Sequence, residues 1–289
     1  MLETPRHPVG NVYAPAPSPD GPLPSVGVNS RAMLIINADD WGGWRTATDC
    51  TLACYEAGGI TSASAMVFMD DSERAARIAA DTSLDVGLHL NFNQPFTGPR
   101  CPTSLLRTHE KVRRFLRINK YAQLIYHPWL CSEFRQLFEA QQEEFKRLYG
   151  RAPSHYDGHQ HMHLCMNSLL GEIIPVGAKV RRSFSFWPGE KSSVNRAYRH
   201  WVDGRLKTRH LVTDYFFSLA QCLQYGRIPR VLELAGDFVV ELMTHSERLE
   251  EQRFLASDQF QRAIGRVKLG IYPEIQFTSG LSDKKHACS

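Results

Sequence analysis

From residue 32 onward the apolar positions come in short β-rich runs separated by stretches of helical periodicity, the signature of a mainly parallel sheet joined by crossover helices. "AMLIINA" reads as the first strand, followed by a helix over 45–57 that stops at Gly58-Gly59, because glycine tolerates the left-handed backbone beyond a helix end. "TSASAMVF" (61–68) is the second strand, Ser72 is placed to help cap a helix carrying Ala75, Ala76, Ile78 and Ala79, and "LDVGLHLNF" (84–92) is the third strand. In "EFRQLFEAQQEEFKRLYG" the residues Phe134, Leu137, Phe138, Phe145, Leu148 and Tyr149 share one helical face, and Gly150 ends it. Next come the short run "SHYDGHQHMHL" (154–164), a helix near 166–176 and a strand around "AKVRRSF". A late strand in "GDFVVELMTH" (236–245), a helix over 254–266 and a last strand in "LGIYPEIQF" (269–277) complete the pattern. Residues 93–130 read as a long loop with short helices, and 190–227 as an insertion of mixed helix and loop.

The 289 residues, 43% of them hydrophobic, are enough for one large core. Residues 1–31 are rich in proline and polar side chains and lack the apolar stretch of a signal peptide, so the expected organisation is a disordered arm followed by a single domain over 32–280. A net charge of +4 is too small and dispersed for nucleic-acid binding by counterion release. The basic clusters "KVRRFLRINK" (111–120), "KVRR" (179–182) and "RHWVDGRLKTRH" (199–210) read as solvated helix faces with snorkelling stems. Seven cysteines at wide spacings, with no C-x-x-C pair, form neither a zinc ribbon nor a disulfide framework, which fits reduced thiols in a cytoplasm. No window is long and apolar enough for a membrane span.

In parallel α/β folds the chemistry gathers at the carboxyl ends of the strands. The first strand delivers Asp39 and Asp40 there, the third His89, the run at 154–164 Asp157, His159, His161 and His163, and the late strand Glu241 and His245. Singly each has an ordinary structural role: a turn or N-cap aspartate, a hydrogen-bonded core histidine, a surface histidine patch. Together, four strand ends presenting carboxylates or imidazoles point to a metal site. An oxygen ligand plus two imidazoles suits zinc or another borderline divalent ion with positions left open for substrate. Adjacent aspartates fit the same chemistry, since one can bind the ion while the other serves as general base. In "HQHMH" the i, i+2, i+4 spacing places three imidazoles on one face of an extended segment.

"IINADDWG", "GLHLNF", "HYDGHQHMH" and, far downstream, "VVELMTH" resemble, in that order and at comparable separations, the motifs of the YdjC-like (ChbG/HpnK) carbohydrate deacetylases over residues 33 to about 277. The resemblance implies a distorted TIM-like (β/α) barrel with mainly parallel strands that removes an acetyl group from an N-acetylated sugar with one divalent metal ion, Mg or Zn. It implies Asp40, His89 and His159 as metal ligands, Asp39 as catalytic base and His245 as general acid or oxyanion partner. The family continues after that histidine with Pro-Gly, where this chain reads "HSERLEE".

On this reading His161 and His163 stand behind His245 as proton donors, Asp157 orients a ligand imidazole, and Arg181 and Glu241 act behind the ligands or on substrate. Partners are an N-acetylated saccharide or glycolipid, with a homodimer as the expected assembly. The competing activities are a metal-dependent phosphoesterase, for which only Arg181 and Arg182 hint at an anion cradle, and a non-catalytic sugar-binding module, which would need no spare base. Segments 93–130 and 190–227 are expected over the carboxyl-end face. Phe96, Tyr121, Tyr126, Trp129, Tyr198, Trp201, Tyr215 and Phe216 supply rings there for a sugar, and Arg199 and Arg205 reach for hydroxyls.

Overall fold

Successive residues of a β-strand point to opposite faces, and here the two faces meet different surroundings. The computed structural model describes residues 31–276 apart from 188, so the expected arm, but for residue 31, lies outside the described residues. Its elements are β1 (Met33–Trp41), α1 (Arg45–Glu56), β2 (Ser62–Ala65), α2 (Ser72–Ala80), β3 (Asp85–Leu90), α3 (Thr103–Leu116), α4 (Cys131–Tyr149), β4 (Tyr156–Gly158), α5 (Met166–Leu170) and α6 (Ser193–Lys207). They continue with β5 (Tyr215–Ser218), α7 (Leu219–Gln224), α8 (Ile228–Ala235), β6 (Val239–Thr244), α9 (Leu249–Leu255) and α10 (Asp258–Ile264).

The strands form one parallel sheet in the order β4-β3-β2-β1-β6-β5. Its two edges are joined through 178–185: Val180 bridges Tyr156, Lys179 bridges Leu211, and Ser185 N–H donates to the Phe216 carbonyl. The sheet therefore curls into a distorted TIM-like barrel. Outward-facing Leu34, Ile36, Ala38, Val86, Leu88, Leu90, Val240 and Leu242 pack against the helices in the main apolar core, each large side chain contributing about 1.5–3 kcal/mol by burial. The inward face is apolar only at its amino end, where Met33, Ile35, Val239, Tyr272 and Ile275 form a small plug. Above the plug it is polar and buried: Asn37, Asp39, Ser64, His89, His155, Asp157 and Glu241. Gly87 belongs to this layer because the His155 ring lies where its Cβ would be, 2.3 Å away.

Several boundaries differ from the sequence expectation. The supposed insertion at 190–227 contains β5, a short apolar strand whose flanking polar residues hide its period. The "AKVRRSF" segment makes only isolated bridges, and of the strand expected over 269–277 the described residues 269–276 make one bridge at Leu269 and then a 3-10 turn at Tyr272–Glu274. The helix expected near 166–176 stops at Leu170, and the one over 254–266 is split into α9 and α10 around Ser257, which caps α10 through Phe260 N–H. Ser72 does not cap α2; its hydroxyl accepts from Met69 N–H and donates to the Met66 carbonyl. α4 ends as expected, with Gly150 in the left-handed conformation (φ 65°).

Candidate active site

Adjacent residues of a regular strand point to opposite faces, yet Asp39 and Asp40 both approach His89, Asp40 in a cluster with His159 and Asp39 in one with Asp157. Between Ala38 and Trp41, β1 spends one residue more than β2, whose partners there are Ala63 and Ala65. Asp40 takes a left-handed backbone (φ 66°) within this bulge. Bulges re-aim side chains, and a non-glycine residue held at positive φ costs on the order of 1–3 kcal/mol, which the surrounding fold must supply. Both carboxylates thus turn toward the carboxyl end of the barrel, and both are buried.

Asp40 is the focus of three imidazoles. Its Oδ1 lies 3.3 Å from His89 Nε2 and 3.0 Å from His159 Nδ1, and its Oδ2 lies 3.8 Å from His245 Nε2. One ligand atom from each of Asp40, His89 and His159 falls within a 4.8 Å cluster, close enough for bonds of about 2 Å to a single ion. His89 and His159 come from β3 and from the 3-10 turn after β4, so three strand ends converge. Burial pushes the Asp40 carboxyl up, but its hydrogen bonds to His159 and His89 outweigh this and hold it far below the usual range. Behind His89, its Nδ1–H donates to Asp157 Oδ1 at 2.8 Å, which fixes the ring and leaves Nε2 facing Asp40. Burial lowers the His89 pKa, yet Asp157 and Asp39 raise it well above the ordinary value.

Beneath this cluster Arg181 is the hub of the barrel interior, with no exposed surface. Its Nη1 and Nη2 donate to Asp39 Oδ2 and Oδ1 at 2.8 and 2.7 Å and its Nε to Glu241 Oε1 at 2.6 Å, while Nη1 forms an ion pair with Asp157 Oδ2 at 2.7 Å. Burial opposes the charge on Arg181, but the carboxylates of Asp157, Asp39 and Glu241 hold its pKa well above the usual value. Asp157 is likewise pushed up by burial but held well below its usual range, mainly by Arg181 and His89. Glu241 is raised to about 7 by burial, which Arg181 only partly opposes.

Its Oε2 has no hydrogen-bond partner among the described residues. Arg181, wholly buried and committed to three carboxylates, offers no surface to a substrate, and neighbouring Arg182 is spent on Asp203 and the Asp214 carbonyl. The anion cradle that a phosphoesterase would have used is absent from both positions.

The histidine run does not keep its three rings on one face. Gln160 and His161 both adopt left-handed backbone (φ 51° and 59°), which breaks the extended geometry. His159 turns to Asp40, His161 packs edge-on against Phe184 and Phe216, and His163 Nε2–H donates to the Arg181 carbonyl at 3.0 Å. Gly158 permits this turn, since a Cβ there would meet His163 N at 2.9 Å. Burial lowers the pKa of His161 well below the ordinary value and that of His163 to about 4. Both rings are therefore uncharged at physiological pH; His163 is buried while His161 keeps some exposure, and neither lies against Asp40, where His245 does.

His245 keeps 20% of its side chain exposed. Its loop is held by Glu251, whose Oε2 accepts from His245 N–H at 3.0 Å and from Thr244 Oγ1 at 2.9 Å. Sequence reasoning missed Glu251 and also missed the inward alternation of Asn37 and Ser64. Asn37 donates to Asp39 Oδ1, and Ser64 donates to Asp157 Oδ2. The i, i+2 spacing of Asn37 and Asp39 was the available signal. Of the rings expected to line a sugar site, Phe216 is buried under Arg181 at 4.9 Å and Phe96 packs on Phe68, so neither faces solvent.

The family described as YdjC-like protein matches residues 33–266. A human carbohydrate deacetylase (Homo sapiens) is 33% identical over 248 residues, covering 74% of this chain and 75% of its own. A carbohydrate deacetylase of Mus musculus is 33% identical over 137 residues, so the chain spans less than half of that relative, 44%. A chitooligosaccharide deacetylase of Yersinia pestis (strain Pestoides F) is 31% identical over 173 residues, covering 59% of this chain and 61% of its own. The fold is shared with the crystal structure of a proposed cellobiose-phosphate cleavage protein of Enterococcus faecalis V583. The TM-score is 0.60 at 19% identity, over 84% of this chain and 98% of that one.

Proposed function

The chain belongs to the YdjC-like protein family, and from that premise we propose that it is a metal-dependent hydrolase removing the acetyl group from an N-acetylated sugar, with residues 32–280 acting as one unit. The convergence of Asp40, His89 and His159 with Asp39 held beside them carries this reading. One carboxylate and two imidazoles, all but His159 buried, suit a borderline divalent ion such as zinc, with Mg as the alternative. When bound there, such an ion supplies Lewis acidity at the acetyl carbonyl and toward the attacking water.

The remaining work falls to the chain's own residues. Asp39 is gripped by Arg181 through both oxygens, so its orientation is fixed before substrate arrives. Oδ1 also accepts from Asn37, whereas Oδ2 keeps a lone pair with which to take the proton of the attacking water. His245, on the solvent side of Asp40, donates a proton to the leaving amine. His89 is steered by Asp157, and Asp157 by Arg181 and Ser64.

The six described cysteines are free thiols, which supports a reducing, cytoplasmic setting. No helix among the described residues is long and apolar enough to cross a membrane. The test is acetate release from a panel of N-acetylated saccharides and glycolipids by zinc- or magnesium-loaded protein, with phosphoesters alongside. Turnover of phosphoesters without release of acetate would reverse the assignment.

A further inference from the structure

The segment between α3 and α4 carries large apolar side chains that the fold does not cover. Six of the twelve positions from Ile118 to Trp129 are exposed large hydrophobics: Ile118, Tyr121, Leu124, Ile125, Tyr126 and Trp129, with Ile118 at 70% and Trp129 at 82% exposure. Scattered exposed apolar residues are ordinary, but a run this dense marks a surface that something apolar meets. The segment is well built. Its 3-10 turns at Ala122–Leu124 and Pro128–Leu130 are closed by backbone hydrogen bonds, and Asn167 of α5 clasps His127, donating to its carbonyl at 2.8 Å and accepting its N–H at 2.9 Å.

Its charge is one-sided. Over residues 106–130 Arg107, Lys111, Arg113, Arg114, Arg117 and Lys120 face a single acid, Glu110, which is taken up by Arg113 and Arg114. Arg117 and Lys120 are exposed and pair with no carboxylate among the described residues, and Lys120 lies over the Tyr121 ring at 5.0 Å. Tryptophan and tyrosine beside aliphatic side chains, rimmed by free cations, is the composition that settles at the boundary between lipid headgroups and acyl chains.

The position in the barrel also matters. α4 meets the carboxyl end of β3 through Gln141, whose Oε1 accepts from Asn91 N–H, and through Phe134 against Phe92, so its first turn at Cys131 projects past that end of the sheet, the end at which the Asp40 cluster sits. α5, which clasps His127, directly follows the turn that carries His159.

We propose that the 117–130 surface docks the protein peripherally on an anionic phospholipid membrane, on the same rim of the barrel as the metal-ligand cluster. The docking does not depend on the deacetylase reading, because it is measured without turnover. The full chain is sedimented with large unilamellar vesicles of phosphatidylcholine alone or with 30% phosphatidylglycerol, at low and high salt. The expected result is binding to the anionic vesicles that weakens at high salt. The double variant Ile125→Ser/Trp129→Ala should lower the partition coefficient at least tenfold, and Arg117→Glu/Lys120→Glu should remove the preference for phosphatidylglycerol. All four side chains are exposed, and circular dichroism checks that the variants fold. Absence of binding to anionic vesicles, or binding that neither variant alters, overturns the proposal. So does a dimer in light scattering that Ile125→Ser/Trp129→Ala splits while lipid binding is unchanged, since a second copy would then be what covers the patch.

Discussion

Arg181 holds Asp39 with two hydrogen bonds of 2.8 and 2.7 Å across 142 positions of sequence, inside a barrel where neither group has appreciable solvent contact. The aspartate expected to stand free as a base is instead one arm of a network whose other arms are Asp157 and Glu241.

That network makes Arg181→Met severe. It would leave three buried carboxylates without their shared cation, and losing one partner of a buried ion pair costs about 3–5 kcal/mol. Urea unfolding of the metal-free protein should show a loss of at least this size, greater at pH 8 than at pH 5, where Glu241 is protonated and needs no counter-charge. A loss below about 1 kcal/mol at pH 8 would mean that the interior rearranges to hydrate them.

The two adjacent aspartates should separate by assay. Asp39→Asn is expected to lower turnover by about 10²–10⁴-fold, the usual worth of a general base, while metal content measured by atomic absorption stays near the parent value. His159→Ala should lose the metal. Equal metal loss in both variants would show that Asp39 is itself a ligand.

Metal uptake should release a proton. The raised pKa of His89 keeps it charged at neutral pH when the ion is absent, and only the neutral imidazole can ligate. Affinity should therefore rise with pH, and the calorimetric heat of binding should change between buffers of different ionisation enthalpy. Identical heats in phosphate-free buffers of low and high ionisation enthalpy would contradict a protonated His89.

Glu241 predicts a signature in stability. Its folded pKa near 7 lies above the ordinary 4.5, so between those values the folded state binds a proton that the unfolded chain has lost. Stability then falls as pH rises through this window, by an amount on the order of 3 kcal/mol. Glu241→Gln should flatten that slope, read as the difference in Tm between variant and parent from pH 4.5 to 7.5. A constant difference would show that Glu241 does not titrate there.

The local pattern of this chain was enough for its parallel α/β character, for α4 with its Gly150 stop, and for the Asp39-Asp40, His89 and His159 positions as one candidate site. Strand ends, helical periodicity and residue chemistry are all properties of short windows, and a parallel sheet gathers strand ends at one face whatever lies between them. The tertiary structure alone decided the rest. β5 was hidden because a four-residue strand carries too little period to stand out from its surroundings. The bulge that swings Asp40 beside Asp39 depends on the register of β1 against β2, which neither strand encodes by itself. The left-handed pair at Gln160 and His161 sent three similar histidines to three different fates. Arg181, read in sequence as a possible anion contact, became the buried counter-charge of three carboxylates because those groups come from strands far apart in the chain, and electrostatic partnership is set by distance in space.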